Sequence, residues 1–288
     1  MNNLTILVVG GHPADVFDHC GGTLAHHIGN GDHVTTLALT QGLRIHDEVI
    51  SEVFRFGTKG YTQEQIDRIC REREQVKYKE VIDACALFGI TDVRFLSYDD
   101  KMLQVTMEMI NAVAKTIRDV RPDIVITHYP LENGGIGSHH GNTGKIVMDA
   151  IELAGTVDFE DKNPGHRTPQ VFFMSPIEAT IRSNILSAEC LAYCNYYVDI
   201  TDVAELKVKA MDIMRSQQYQ GPYARRHTEV WSGKDGHFMD TGYCESFVTY
   251  HPEVGHLLSV SDYLRMKSNE PEKDKRARCS QMIAEFME

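Results

Sequence analysis

The stretch Ile6-Leu7-Val8-Val9-Gly10-Gly11-His12-Pro13-Ala14-Asp15, with Cys20-Gly21-Gly22 soon after it, decides how this chain reads. A short continuous apolar run of β-branched and aliphatic residues fits a strand buried on both faces. It stops at a glycine pair and delivers a histidine and an acid at its C-terminal end, where open α/β sheets present their chemistry. Two readings follow. In the sharp one His12 and Asp15 are ligands of a catalytic divalent metal; in the plain one the aspartate only caps the next helix. One short motif does not choose between them.

Outward from this stretch, strand-like runs alternate with helical patterns. The first strand is Thr5–Val9, and Gly22–Ile28 belongs to a helix that Gly29-Asn30-Gly31 stops. His33–Leu39 is the second strand. A polar segment from about Thr40 to Tyr61 shows no period, and loops of that length in compact domains are usually functional or mobile. Thr62-Gln63-Glu64-Gln65 is a capping box opening a helix to about Phe88. Val93–Leu96 and Ile124–Thr127 read as strands three and four, separated by the helical spacing of Met109, Ile110, Val113, Ile117 and Val120. The alternation predicts a three-layer α/β fold, a mostly parallel sheet with helices on both faces. Beyond about residue 155 the pattern loosens: Val171–Met174 and Tyr196–Ile200 look like strands, Val203–Ser216 like a helix, and Glu270 to Arg278 like a solvated helix face or tail.

The fourth strand leads through His128-Tyr129-Pro130 into Leu131-Glu132-Asn133-Gly134-Gly135-Ile136-Gly137-Ser138-His139-His140-Gly141, with a helix expected to begin near Gly141. This loop also sits at a strand's C-terminal end, so in a doubly wound sheet both loops open on one rim. His12, Asp15 and one of the two later histidines give two imidazoles and one carboxylate, a set that suits Zn²⁺ with an open position for water. Fe²⁺ and Mn²⁺ accept the same donors. The remaining histidine of the pair is left as a supporting or catalytic group, and His128 faces the same rim.

Composition narrows the classes. The chain has 288 residues, 42% hydrophobic and 24% charged, which is ordinary for a globular protein and enough for a large core. Its formal net charge of −12 gives no general attraction to nucleic acid or to an anionic membrane. No apolar run approaches the ~20 residues of a membrane span, and no signal-peptide pattern opens the chain, so a cytoplasmic location is expected. The seven cysteines form no Cys-x-x-Cys pair and read as free thiols, with Cys190 and Cys194 spaced for one helix face. The glycine pairs do not make the Gly-x-Gly-x-x-Gly spacing of a nucleotide cradle.

The motifs resemble the LmbE-like, or PIG-L-like, family of zinc-dependent N-acetylglucosaminyl deacetylases. Residues 1–155 carry the resemblance well and the remainder loosely. The family's His-Pro-Asp-Asp-Glu stands here as His12-Pro13-Ala14-Asp15-Val16, and its His-Pro-Asp-His as Gly137-Ser138-His139-His140. The resemblance implies a single LmbE-like domain over 1–288, of Rossmann-like topology. Within it 1–155 is the metal-binding core and 156–288 completes the cleft. It also implies His12, Asp15 and His140 as the metal ligands, with one Zn²⁺ per subunit. Two positions depart from the family. Ala14 replaces the aspartate that serves as general base, and Gly137 replaces the histidine that steadies the oxyanion.

These departures resemble the 4-oxalomesaconate hydratase branch of the family, which also carries alanine before its metal-binding aspartate; Gly42 and Arg44 are part of that match. The leading expectation is therefore a metal-dependent hydratase, a hydro-lyase acting on a small unsaturated keto-carboxylate from aromatic ring cleavage. Such chemistry needs a base and an acid. Glu48, then Asp47 and His46, are the candidate bases, and His139 is the candidate acid or supporting group. Arg44, Arg225 and Arg226 are candidates for binding substrate carboxylates, since guanidinium forks pair with them bidentately. Tyr243, Glu245 and Phe247 resemble a C-terminal segment that closes over the cleft, and Trp231 is a lid contact or ordinary packing. The alternatives are a deacetylase or amidase using another base, and a non-catalytic binding protein on the same fold. A homo-oligomer is expected by analogy.

Overall fold

The structure is a computed structural model that describes residues 3–132, 137–174 and 194–283. Among the described residues seven strands form one sheet: β1 (Thr5–Gly10), β2 (His33–Thr40), β3 (Asp92–Tyr98), β4 (Ile124–His128), β5 (Gln170–Met174), β6 (Tyr196–Asp199) and β7 (Cys244–Thr249). Their order is β3-β2-β1-β4-β5-β7-β6. The pairings from β3 through β5 are parallel, and β7 runs antiparallel to both β5 and β6.

β1 lies at the centre, and its alternating side chains feed two cores. Ile6 and Val8 pack with Leu24, Val81 and Val208 on one face; Leu7 and Val9 pack with Val113, Ile117, Ile146 and Val147 on the other. The first face is covered by α2 (Gly21–Gly29), α5 (Gln63–Leu87) and α8 (Ala204–Ile213), the second by α6 (Met107–Val120) and α7 (Gly137–Ala154). The three-layer, mostly parallel architecture expected from the alternation is the one observed. Thr62 closes the capping box: its hydroxyl accepts from the Gln65 amide while Gln65 accepts from the Thr62 amide. No helix among the described residues is long and apolar enough to cross a membrane.

Several expectations are corrected. The aperiodic segment after β2 folds into two short helices, α3 (Leu43–His46) and α4 (Glu48–Val53), too short for any period to show. α7 begins at Gly137 rather than near Gly141, which puts His139 and His140 in its first turn. Glu245 and Phe247 lie within β7 and Tyr243 immediately before it, all buried, so this segment is part of the sheet and does not close over a cleft. α8 is followed by a 3-10 turn at Arg215–Gln217, α9 (Pro222–Thr228), a π-helical turn at Glu229–Gly233 that contains Trp231, and α10 (Lys234–Phe238). Two helices, α11 (Asp262–Asn269) and α12 (Glu272–Cys279), bury none of their residues, and the charge mixture of Glu270 to Arg278 suggested this for α12. Cys190 lies outside the described residues; Cys20, Cys70, Cys85, Cys194, Cys244 and Cys279 form no disulfide.

Candidate metal centre

β1 and β4 are adjacent and parallel, and β2 continues the sheet on the other side of β1. The strand order therefore reverses direction between β1 and β4, and the loops leaving their C-terminal ends meet at that switch point. The first loop supplies His12 and then Asp15, the first residue of α1 (Asp15–Asp18). The second supplies His128 at the strand end, Glu132 after it, and His139 and His140 from the first turn of α7. Two glycines let these pieces approach. Gly42 adopts φ +61°, and a Cβ there would lie 2.7 Å from Pro13 Cδ, so α3 sits directly on the first loop. A Cβ on Gly141 would overlap the Glu132 carbonyl oxygen.

The resulting cluster is buried: His12, Asp15, His128, Glu132, His139 and His140 are each at most 6% exposed. Asp15 Oδ2 accepts from the His12 backbone amide at 2.7 Å and lies 3.2 Å from His12 Nδ1, 3.0 Å from His128 Nε2 and 3.7 Å from His140 Nε2. Glu132 Oε2 is 3.1 Å from His140 Nδ1. Around this polar knot the rings of His46 and His139 stand 4.9 and 5.4 Å from that of His12.

Burial would raise the Asp15 carboxyl, but His12 and His140 beside it, and hydrogen bonds from His12 and His128, outweigh burial and hold it well below the usual carboxylate range. Burial pushes the imidazoles of His46 and His128 down to about 3, helped by His12 and His140 respectively, and lowers His139 as well. At neutral pH the site thus holds an anionic Asp15 carboxylate, with His46, His128 and His139 kept neutral by burial.

Such a set fits a divalent cation. His12, Asp15 and His140 each offer a donor atom, and these lie within 4.8 Å of one another; His128, Glu132 and His140 form an overlapping group. His12 Nε2 is buried without a hydrogen-bond partner, which costs free energy that a cation would recover. Glu132 on His140 is the carboxylate–imidazole support typical of metal-bound histidine.

The other candidates are placed differently. Asp47 is fully buried, caps α4 by accepting from the Ile50 amide, and pairs with Arg73 at 3.1 Å. Glu48 is exposed in the first turn of α4 and, with His46 and Gln217, lines a polar cavity of about 230 Å³. Arg44 makes a two-pronged pair with Asp99, at 2.6 and 2.8 Å. Arg225 donates to the Ile283 carbonyl, and Arg226 is exposed. Glu245, expected in a segment closing over the cleft, instead accepts from the Gly22 and Thr23 amides at the start of α2 and pairs with buried Lys207 at 2.8 Å. A larger apolar groove of about 440 Å³ lies beside Leu4 and Ile124, at the opposite ends of the strands from this chemistry.

Sequence reasoning missed Glu132. Glu132 could have been found by the rule that found the histidines, since it lies four residues past a strand end.

The model of the GlcNAc-PI de-N-acetylase (PIG-L) family matches residues 7–151. The diacetylchitobiose deacetylase of Thermococcus kodakarensis is 24% identical over 241 residues, covering 81% of this chain and 79% of that protein. The 1D-myo-inositol 2-acetamido-2-deoxy-alpha-D-glucopyranoside deacetylase of Rhodococcus erythropolis is 28% identical over 187 residues, 58% of this chain and 60% of that protein. Among solved structures, the 4-carboxy-2-hydroxymuconate hydratase of Pseudomonas putida superposes with a TM-score of 0.67 at 19% identity, over 90% of this chain and all of that one. At that identity the likeness is one of fold alone, whereas both relatives named above, matched by sequence, are deacetylases. The expectation of a hydratase in aromatic catabolism is overturned by this. Alanine at position 14, which motivated it, removes one acid–base group without prescribing a different reaction.

Proposed function

We infer the function from one premise: the chain belongs to the GlcNAc-PI de-N-acetylase (PIG-L) family. It is an N-acyl deacetylase that hydrolyses the amide bond of an acetylated amino sugar with one divalent cation, zinc. The observation that carries this reading is the convergence of His12, Asp15 and His140, from two loops 125 residues apart, within 4.8 Å.

These three residues would hold the ion. When bound, it supplies Lewis acidity, which lowers the pKa of a water and polarises the amide carbonyl. The chain does the rest. His128 Nε2 and the His12 backbone amide fix the Asp15 carboxylate in one orientation. Glu132 holds His140 through Nδ1 and leaves Nε2 facing Asp15. His46 and His139, kept neutral by burial, offer imidazole N–H groups to the acyl oxygen as negative charge builds on it.

Purified protein incubated with N-acetylated amino sugars, diacetylchitobiose among them, is expected to release acetate in proportion to bound zinc measured by elemental analysis. Stoichiometric metal without acetate release from any acetylated amine would overturn the reading.

A further inference from the structure

His46 sits on α3, a helix of a single turn, and a turn that short does not hold its own shape. Two buried charges from other elements hold it. Lys77 on α5 is 0% exposed, and its Nζ donates to the carbonyl of Gly42, directly before α3, at 2.6 Å. Asp100, after β3 and also 0% exposed, accepts from the Arg44 amide at 3.0 Å and the Ile45 amide at 3.1 Å. An ammonium carries three donors, yet Lys77 has this one carbonyl and no ion-pair partner among the described residues. Lys207, the other buried lysine among them, rests on the Glu245 carboxylate. Burying an ammonium against a single carbonyl costs free energy that an apolar side chain of the same length would not, so core packing does not account for Lys77. The turn it secures adjoins the metal centre. Gly42 lies on Pro13, between His12 and Asp15, and the His46 ring stands 4.9 Å from that of His12 at an interplanar angle of 77°. The ligands themselves are held separately: Thr40 donates its amide and hydroxyl to the Gly11 carbonyl, and Asp15 accepts from the His12 amide.

We propose that Lys77 is a positioning residue: with Asp100 it fixes α3 so that the His46 imidazole meets the acyl oxygen, a role that rests on the deacetylase reading above. The ammonium takes a carbonyl at the start of the turn, and the carboxylate takes two of its amides. Rotation of the Gly42–Leu43 peptide would turn an N–H towards the ammonium and leave a buried charge without a partner, so α3 has one seat. The effect of Lys77 passes through Gly42 to His46. A misplacement of about 1 Å in a reacting group costs as much as about 10²-fold in rate, which is what such a clamp prevents.

The test is a double-mutant cycle of Lys77→Met and His46→Ala, run as zinc-loaded proteins on diacetylchitobiose. His46→Ala is expected to lower kcat by about 10²-fold, the usual loss of an oxyanion donor. Lys77→Met is expected to lower kcat by about 10–10²-fold with KM and zinc content little changed. The double variant is expected to be no slower than His46→Ala, because the lysine acts through that ring. In zinc-free protein, the imidazole nitrogen resonances of His46 are expected to move in Lys77→Met while those of His227 stay in place. Asp100→Asn, which releases the other clamp, is expected to couple to His46→Ala in the same way, and it decides the matter if Lys77→Met does not fold. Losses that multiply with those of His46→Ala, an unchanged kcat, unmoved His46 resonances or loss of zinc would each overturn the role. Wild type that releases no acetate overturns the deacetylase reading and this role together; an active wild type with any of those results overturns this role alone.

Discussion

The imidazole rings of His128 and His140 stack 4.0 Å apart with an interplanar angle of 10°, and His128 also reaches Asp15 Oδ2 at 3.0 Å. His128 therefore braces two of the three candidate ligands without being one of that triad. His128→Ala is expected to weaken zinc binding by about 10–100-fold, the usual cost of removing a partner that orients ligands. Competition with a fluorescent chelator would measure it; an unchanged affinity would show that the stack contributes nothing.

Removal of a ligand should act on the metal and the reaction together. His12→Ala and His140→Ala are expected to lose stoichiometric zinc and essentially all acetate release. Chelation of wild type should do the same, reversibly on readdition. Elemental analysis after gel filtration checks the first point, and activity retained without metal would contradict the centre as described.

In metal-free protein, acid should destabilise the fold from near neutrality downward. His46 and His128 are pushed to about 3 and His227 to about 2, in each case chiefly by burial. Their folded values lie below that of an unfolded histidine, so between about pH 6.5 and 3 the unfolded chain binds more protons and stability falls as pH falls. Asp18 acts with the opposite sign. Its folded value of about 6 exceeds the unfolded one, so its ionisation costs stability as pH rises between 3.8 and 6. Asp18→Asn should accordingly be more stable than wild type at pH 7, with a ceiling of about 3 kcal/mol. Urea denaturation across pH reads both effects; a variant less stable at pH 7 than at pH 4, relative to wild type, would contradict the second.

Glu245→Gln should be strongly destabilising. It leaves Lys207, 2% exposed, without its charge partner and weakens the two amide contacts at the start of α2. Breaking one half of a buried pair costs about 3–5 kcal/mol, while replacing both halves costs less. A Lys207→Met/Glu245→Gln double variant is therefore expected to recover part of the loss in a double-mutant cycle by thermal denaturation.

Gly141→Ala would force the Glu132 carbonyl away from the first turn of α7. Because Glu132 holds His140, the expected result is reduced zinc affinity together with a destabilisation of about 1–3 kcal/mol, the range for overpacked sites. Normal affinity and stability would mean the turn relaxes freely.

How far the sequence disclosed this arrangement depended on the kind of signal. The parallel sheet was legible because β1, β2 and β4 are short β-branched runs set between helical periods, and because β1 is buried on both sides. The pairing of the His12 loop with the His139–His140 loop was legible from topology, since both follow strand ends on one rim. The antiparallel β7 was not, since Cys244–Thr249 mixes polar and apolar residues and pairs with strands distant in sequence. Nor were the fates of Asp47, Arg44 and Arg225: each finds its partner through tertiary contact with Arg73, Asp99 or the Ile283 carbonyl. Charge type alone carries no record of which neighbour the fold will provide.

The clamp of Glu245 on the Gly22 and Thr23 amides spans more than two hundred residues of chain. During synthesis the opening helix must wait for β7 to emerge from the ribosome before its first turn is secured. The loop between β1 and that helix carries His12 and Asp15, so the nascent N-terminal half should be a poor scavenger of zinc. Any capture of an ion there would accordingly be a late event in maturation, coupled to arrival of β7.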